Sequence, residues 1–145
     1  MDNNRSIEKQ RNINATSAEV WHVLTQPELI KQWLGVTIRT DWTVGSPIAF
    51  SFEWEGKAFE DKGHVLAFDE HRAFSYDYWS AFSNMPDSPE NYSVIAFRIT
   101  DNERQSVLSL HHSRFSTPTM YEHSDANWEE TLDTVKGLAE GLHQR

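Results

Sequence analysis

Between Ile48 and His112 apolar side chains recur at every second position in five successive runs, each ended by polar or turn-forming residues. Ile48, Phe50, Phe52 and Trp54 alternate with Ala49, Ser51 and Glu53, and a longer run spans Ala58 to Phe68. Phe74, Tyr76 and Tyr78 form a third run, Ile95, Phe97 and Ile99 a fourth, and Leu108, Leu110 and His112 a fifth. A period of two places alternate side chains on opposite faces of a strand, so each run has one buried face. Short polar connections, such as Asp69–Arg72 and Asp101–Arg104, join consecutive strands in antiparallel fashion. Gly56-Lys57 reads as the hairpin turn between the first two runs. An antiparallel sheet with one apolar face requires a cover.

Only one segment is large enough to supply it. Trp128, Leu132, Val135, Leu138, Ala139 and Leu142 fall on a single stripe at helical spacing, with Ser124 or Asp125 as the expected cap. Before the strands, Ser6–Ile13 reads as a polar edge strand. Thr16-Ser17 and Glu19 open a short helix with Val20, Trp21, Val23 and Leu24 on its apolar face. Pro27 starts a second helix that Gly35 ends. The expectation is one α+β domain over residues 1–145: a curved antiparallel sheet of about six to seven strands wrapping a long C-terminal helix, with two short helices after the first strand. A straight helix on a bent sheet leaves space between the two, and that space is the expected cavity.

Composition narrows the function. Thirteen Lys and Arg against 22 Asp and Glu give a charge of −9, which argues against nucleic acid and against an anionic membrane surface. The absence of cysteine excludes disulfides, thiolate metal sites and Cys nucleophiles. The N-terminus lacks the apolar core of a signal peptide and no run approaches a membrane span, so a cytoplasmic location is expected. Six Trp, four Tyr and eight Phe are rigid bodies able to line a cavity without collapsing into it.

Several stretches together resemble a known family: Ile13-Asn14-Ala15 with Ala18 to Thr25, Pro27-Glu28, Trp33-Leu34, Trp42 to Pro47, Gly63 to Leu66 and Phe74 to Trp79. Pro89 to Ser93, Leu108 to Ser113, and His123 through Trp128 to Leu132 complete the pattern. The chain is similar to the AHSA-type branch, named after activators of the heat-shock-protein-90 ATPase, of the START-like (SRPBCC), birch-pollen-allergen superfamily. The likeness runs from about residue 7 to about 142. It implies a helix-grip fold with a cavity that takes lipids or other apolar small molecules in some members, and it implies no fixed chemistry. Arg114 stands where the family usually has a small residue, often Gly, and Ser46-Pro47 stands where Gly-Gly is usual after Val44.

Nucleotide-binding glycine motifs, H-E-x-x-H and G-x-S-x-G are absent. His111 and His112 point to opposite faces of one strand and cannot share a metal ion. Glu53, Glu55, Glu60 and Asp61 read as a solvated surface. The expected ligand-pocket residues are therefore Phe50, Phe52, Trp54, Tyr76, Tyr78, Phe97, Leu110, His112, Trp128 and Leu132, with Tyr76 or Tyr78 as the partner of His112. The expected cavity exceeds ~300 Å³, with residues 80–90 as a flap over its mouth. No catalytic or metal residue and no cofactor is assigned. The partner is an apolar small molecule, with a homodimer and a chaperone contact as further expectations. A cyclase- or hydrolase-type enzyme using the same pocket is the alternative, and a chaperone-associated regulator the second.

Overall fold

The computed structural model describes residues 5–102 and 104–144. Its elements follow the expected order: β1 Ser6–Ile13, α1 Ser17–Thr25, α2 Pro27–Leu34, β2 Thr37–Arg39, β3 Pro47–Trp54, β4 Lys57–Asp69, β5 Ala73–Tyr78, β6 Ser93–Asn102, β7 Gln105–Ser113 and α3 Pro118–His143. The strands form one seven-stranded antiparallel sheet in the order β1-β7-β6-β5-β4-β3-β2. Strands β2 to β7 run as a meander, and β1 returns to the far edge against β7, with Ile7 opposite His112 and Ile13 opposite Ser106. Among the described residues no helix is long and apolar enough to cross a membrane.

The sheet bends along β4. Residues 57–64 of this strand pair with β3, residues 65–69 with β5, and the register slips between Val65 and Ala67. At the bend Gly63 lies so close to β5 that a Cβ there would stand 2.0 Å from the Asp77 carbonyl oxygen. Only a residue without a side chain permits that approach. The hairpin turn between β3 and β4 falls one residue earlier than the sequence indicated. Glu55 and Gly56 both have positive φ, and Trp54 pairs with Lys57. A two-residue turn left-handed at both centres matches the right-handed strand twist, which is why the register settles there.

α3 begins two turns before the expected cap. Thr117 is its N-cap, accepting a hydrogen bond from the Met120 amide at 3.1 Å, and Pro118 occupies the first turn. These opening turns carry Glu122, His123, Ser124 and Asp125 rather than an apolar stripe, so periodicity did not reveal them. Farther on, Trp128, Leu132, Val135 and Ala139 are buried, with Leu138 and Leu142 packed at the edge of the core. Strand β2 was not expected: it is only three residues long, with Ile38 alone buried, too short to show a period.

α3 is fastened along one flank. From edge strand β1, Lys9 reaches Asp125 at 3.1 Å and Glu129 at 2.6 Å, while Arg11 reaches Glu129 at 2.6 Å and Asp133 at 2.8 Å. Lys136 donates to the Asn12 carbonyl, and Glu140 accepts from the Asn14 amide. Ion pairs of this kind orient a helix more than they stabilise it. α1 and α2 close the other end of the sheet. α1 opens with a capping box between Thr16 and Glu19, and the Trp33 indole of α2 donates to the Val23 carbonyl at 2.8 Å.

Candidate ligand cavity

The flank of α3 that faces away from β1 presents Ser124, Asn127, Trp128 and Thr131, spaced three and four residues apart on one face. Three of the four are small or short polar side chains. They do not reach Leu34 and Val36 at the end of α2, and the gap continues down to the sheet. The result is a cavity of about 200 Å³ lined by these residues with Phe50, Tyr76, Tyr78, Ile95 and His112. It lies where a helix-on-sheet gap was expected, but it is smaller than the ~300 Å³ lower bound for a drug-sized ligand. A larger groove of about 770 Å³ lies on the outer face of the sheet among Glu8, Gln10, Ser75, Ala96, Arg98, Ser109 and His111. That groove is solvent-facing, and the two aromatic residues that border it, Phe74 and Phe97, are themselves buried in the core.

Of the ten residues expected from sequence, Phe50, Tyr76, Tyr78, His112 and Trp128 line the cavity. Phe97, Leu110 and Leu132 are fully buried in the packing around it, Phe97 standing edge-on to Trp128 at 5.8 Å. Phe52 and Trp54 are elsewhere. They share the inward parity of Phe50, but the β3–β4 hairpin runs on past the end of β5, where no helix covers it. There Phe52 packs on Phe59 at 5.7 Å, and Phe82 of the 79–92 connection packs on Phe52 and Trp54, both at 5.5 Å. Trp54 is 55 % exposed. Parity assigns a face, but only the position of the neighbouring elements decides whether that face is covered.

The connection itself does not line the cavity. It is tied to the hairpin instead. Trp79 bridges to Lys62 through paired backbone hydrogen bonds, Lys62 reaches Asp87 at 3.0 Å, and the Tyr92 hydroxyl donates to Asp87 at 2.5 Å.

His112 has different partners from those expected. An indole N–H can only donate, so the Trp128 Nε1–His112 Nδ1 hydrogen bond at 3.0 Å fixes Nδ1 as the acceptor. The imidazole proton is then on Nε2, which donates to Ser93 Oγ at 2.9 Å, and Ser93 donates in turn to the Tyr78 carbonyl at 3.4 Å. Both ring nitrogens are occupied. Burial pushes the imidazole down to about 3, with His111 adding a smaller repulsion, so the ring is neutral. A neutral imidazole whose lone pair is already engaged is no general base. It sets the orientation of Trp128.

Asp61 is the group the sequence reading misplaced. It pairs across from Phe50 and shares the inward face of β4 with Phe59, Gly63 and Val65, leaving it 4 % exposed. Its Oδ1 accepts from the Ala81 amide at 2.8 Å, and its Oδ2 accepts from the Tyr78 hydroxyl. Burial pushes this carboxyl up, against the opposing pull of those two hydrogen bonds. The alternation of residues 59, 61, 63 and 65 with the polar residues between them was the signal that marked Asp61 as inward. Tyr78 is raised by its own burial and then by the charge of Asp61; Tyr76 is raised by burial alone. Both phenols stay protonated and serve as hydrogen-bonding groups rather than bases. Tyr76 is 5 % exposed, is held between Phe50 at 5.7 Å and Phe74 at 6.1 Å, and makes no side-chain hydrogen bond to the described residues. Among the described residues no group of three or more His, Asp or Glu is placed to hold a metal ion.

This helix-gripped cavity carries the resemblance noted in the sequence, and a family model settles it: Activator of Hsp90 ATPase homolog 1-like protein matches residues 14–140, from the end of β1 to near the end of α3. The chain belongs to that family. The solution structure of ChR145 from Cytophaga hutchinsonii is similar over 100 % of both chains at 34 % identity, with a TM-score of 0.83. MLL2253 from Mesorhizobium loti is 25 % identical over 92 % of this chain and 96 % of its own, with a TM-score of 0.76. At 21 % identity the Aha1 dimer from Colwellia psychrerythraea shares the fold, covering 94 % of this chain and 96 % of its own with a TM-score of 0.73. No curated protein matches the chain. Arg114, the departure from the usual small residue of this AHSA1-like domain, has a φ of 64°. That left-handed conformation is the one in which glycine is at ease.

Proposed function

We propose that this AHSA1-like domain is a receptor for a small, mainly apolar molecule held between α3 and the sheet. The observation that carries the reading is Tyr76 on the wall of an aromatic cavity: its hydroxyl makes no hydrogen bond to the described residues, and its oxygen opens onto the cavity instead of being sealed in the core. A hydroxyl placed so takes its partner from whatever fills that space, water or ligand. The polar groups of Tyr78, His112 and Trp128 beside it are all engaged within the protein, so Tyr76 on the sheet side, with Ser124, Asn127 and Thr131 on the more exposed helix side, is left for the occupant. Affinity comes from apolar burial. A single ring removing roughly 150 Å² from water gains about 4 kcal/mol, which places binding near the millimolar range.

Thr131 lies on the cavity flank of α3 and is only partly buried, so a larger side chain there fills the space without disturbing the core. Thermal-shift screening of small aromatic and short-chain compounds against the native chain and Thr131→Trp tests the proposal. Stabilisation of the native chain that disappears in T131W is expected. Equal shifts in both proteins would place the binding elsewhere and refute it.

A further inference from the structure

We infer that the occupant is an uncharged aromatic of one ring with small substituents, whose hydroxyl or carbonyl oxygen pairs with the Tyr76 hydroxyl. This rests on the cavity being a binding site, as proposed above, and adds the chemistry of what enters it. Three observations carry it.

The first is size. An engineered apolar cavity of ~150 Å³ holds benzene. The cavity here, about 200 Å³, has room for one ring with a small substituent.

The second is the wall. Phe50, Tyr76, Tyr78 and Trp128 bring four aromatic rings to it, Phe50 standing edge-on to Tyr78 at 5.4 Å, and such rings pack best against another planar ring. Ile95, Leu34 and Val36 fill the remaining apolar surface.

The third is charge. Among the described residues no Asp, Glu, Lys or Arg lines the cavity. His112 has both nitrogens engaged. Asp61, the nearest buried carboxylate, lies behind Tyr78 and is occupied by the Tyr78 hydroxyl and the Ala81 amide. A bound anion would meet no cation. A bound cation would shed its water with no carboxylate on the cavity surface to replace it. Either charge would be buried without compensation, which proteins avoid. A neutral oxygen meets a different situation. The Tyr76 ring is wedged between Phe50 and Phe74, so its hydroxyl is already oriented and loses little freedom on pairing.

Matched ligands separate these requirements. Toluene, p-cresol, 4-methylbenzoate and 4-methylbenzylammonium share one ring and differ in the polar group. Each is titrated into the native chain and Tyr76→Phe while the amide and indole resonances of Ile95 and Trp128 are followed by NMR. The expected result is that p-cresol binds the native chain about fivefold tighter than Y76F, the net worth of one neutral hydrogen bond. Toluene binds both proteins equally, which also shows that the Y76F cavity is intact, and both charged analogues bind at least tenfold more weakly than p-cresol. Equal p-cresol affinity in the two proteins, or a charged analogue binding as tightly as p-cresol, would overturn the inference and leave the receptor reading standing. Failure of toluene and p-cresol alike to shift either resonance would overturn both.

Discussion

Replacing His112 with Leu tests the hydrogen-bonded chain that orients Trp128, and two effects of opposite sign are expected. At neutral pH the substitution leaves the Trp128 N–H buried without an acceptor, a cost of about 1–3 kcal/mol. Ser93 still has the Tyr78 carbonyl to donate to, so the larger loss is at the indole. The second effect depends on pH. The imidazole ordinarily titrates at 6.5 and is pushed down to about 3 in the folded protein. Below pH 6.5 the unfolded chain takes up a proton that the folded chain refuses. Stability is therefore whole above pH 6.5 and declines continuously as pH falls toward 3. For these two values the native chain loses about 2 kcal/mol through His112 alone between pH 7 and pH 5. H112L has no such group and does not share the loss. Urea unfolding followed by tryptophan fluorescence at both pH values measures each term, provided the m-value is unchanged. The native chain is expected to be the more stable at pH 7, with the two converging near pH 5. A second comparison isolates the indole: in a Trp128→Phe background the orphaned donor is gone, and the pH 7 cost of H112L falls. Parallel pH profiles for the native chain and H112L would refute the assignment of His112 as a buried neutral link.

Two further substitutions probe the frame around the cavity. Gly63→Ala drives a methyl group into the Asp77 carbonyl, 2.0 Å away where β4 and β5 converge. Backbone cannot yield as a side chain can, so a loss of at least about 2 kcal/mol in chemical denaturation is expected; a loss under half of that would mean the sheet bends without help from this glycine. Arg114→Gly relieves the left-handed φ of 64° at an exposed position. That strain is worth about 1–2 kcal/mol, less about 0.4–1 kcal/mol for the extra freedom glycine gives the unfolded chain, so a net gain of roughly 0.5–1 kcal/mol is expected. A lowered midpoint in R114G would show that the arginine side chain contributes more than its backbone costs.

Much of the architecture was legible before any coordinates. Period-two alternation located β3 to β7, and Thr16-Ser17, Pro27 and Gly35 bounded the two short helices closely. The Trp128–Leu132–Val135–Ala139 stripe identified the covering helix, although the polar turns from Pro118 onward stayed hidden because they bury little. The candidate site was legible in part. Phe50, Tyr76, Tyr78, His112 and Trp128 were found because inward parity on central strands and the helix stripe both point to the space between them. Ser124, Asn127 and Thr131 escaped because they are polar, yet their small size on the flank beside Trp128 is what leaves the cavity open. Asp61 escaped because it sits among exposed carboxylates in sequence.

Local chemistry, then, determined which residues form strands and helices and which way each side chain faces, since those follow from backbone periodicity and from capping within a few residues. What fills a face is decided at long range. Whether Phe52 and Trp54 meet a helix or solvent depends on where β5 ends. Whether His112 pairs with a tyrosine or with Trp128 depends on the angle at which ion pairs from β1 seat α3. The contacts that seat α3 connect residues up to 126 positions apart, and no local pattern carries that information.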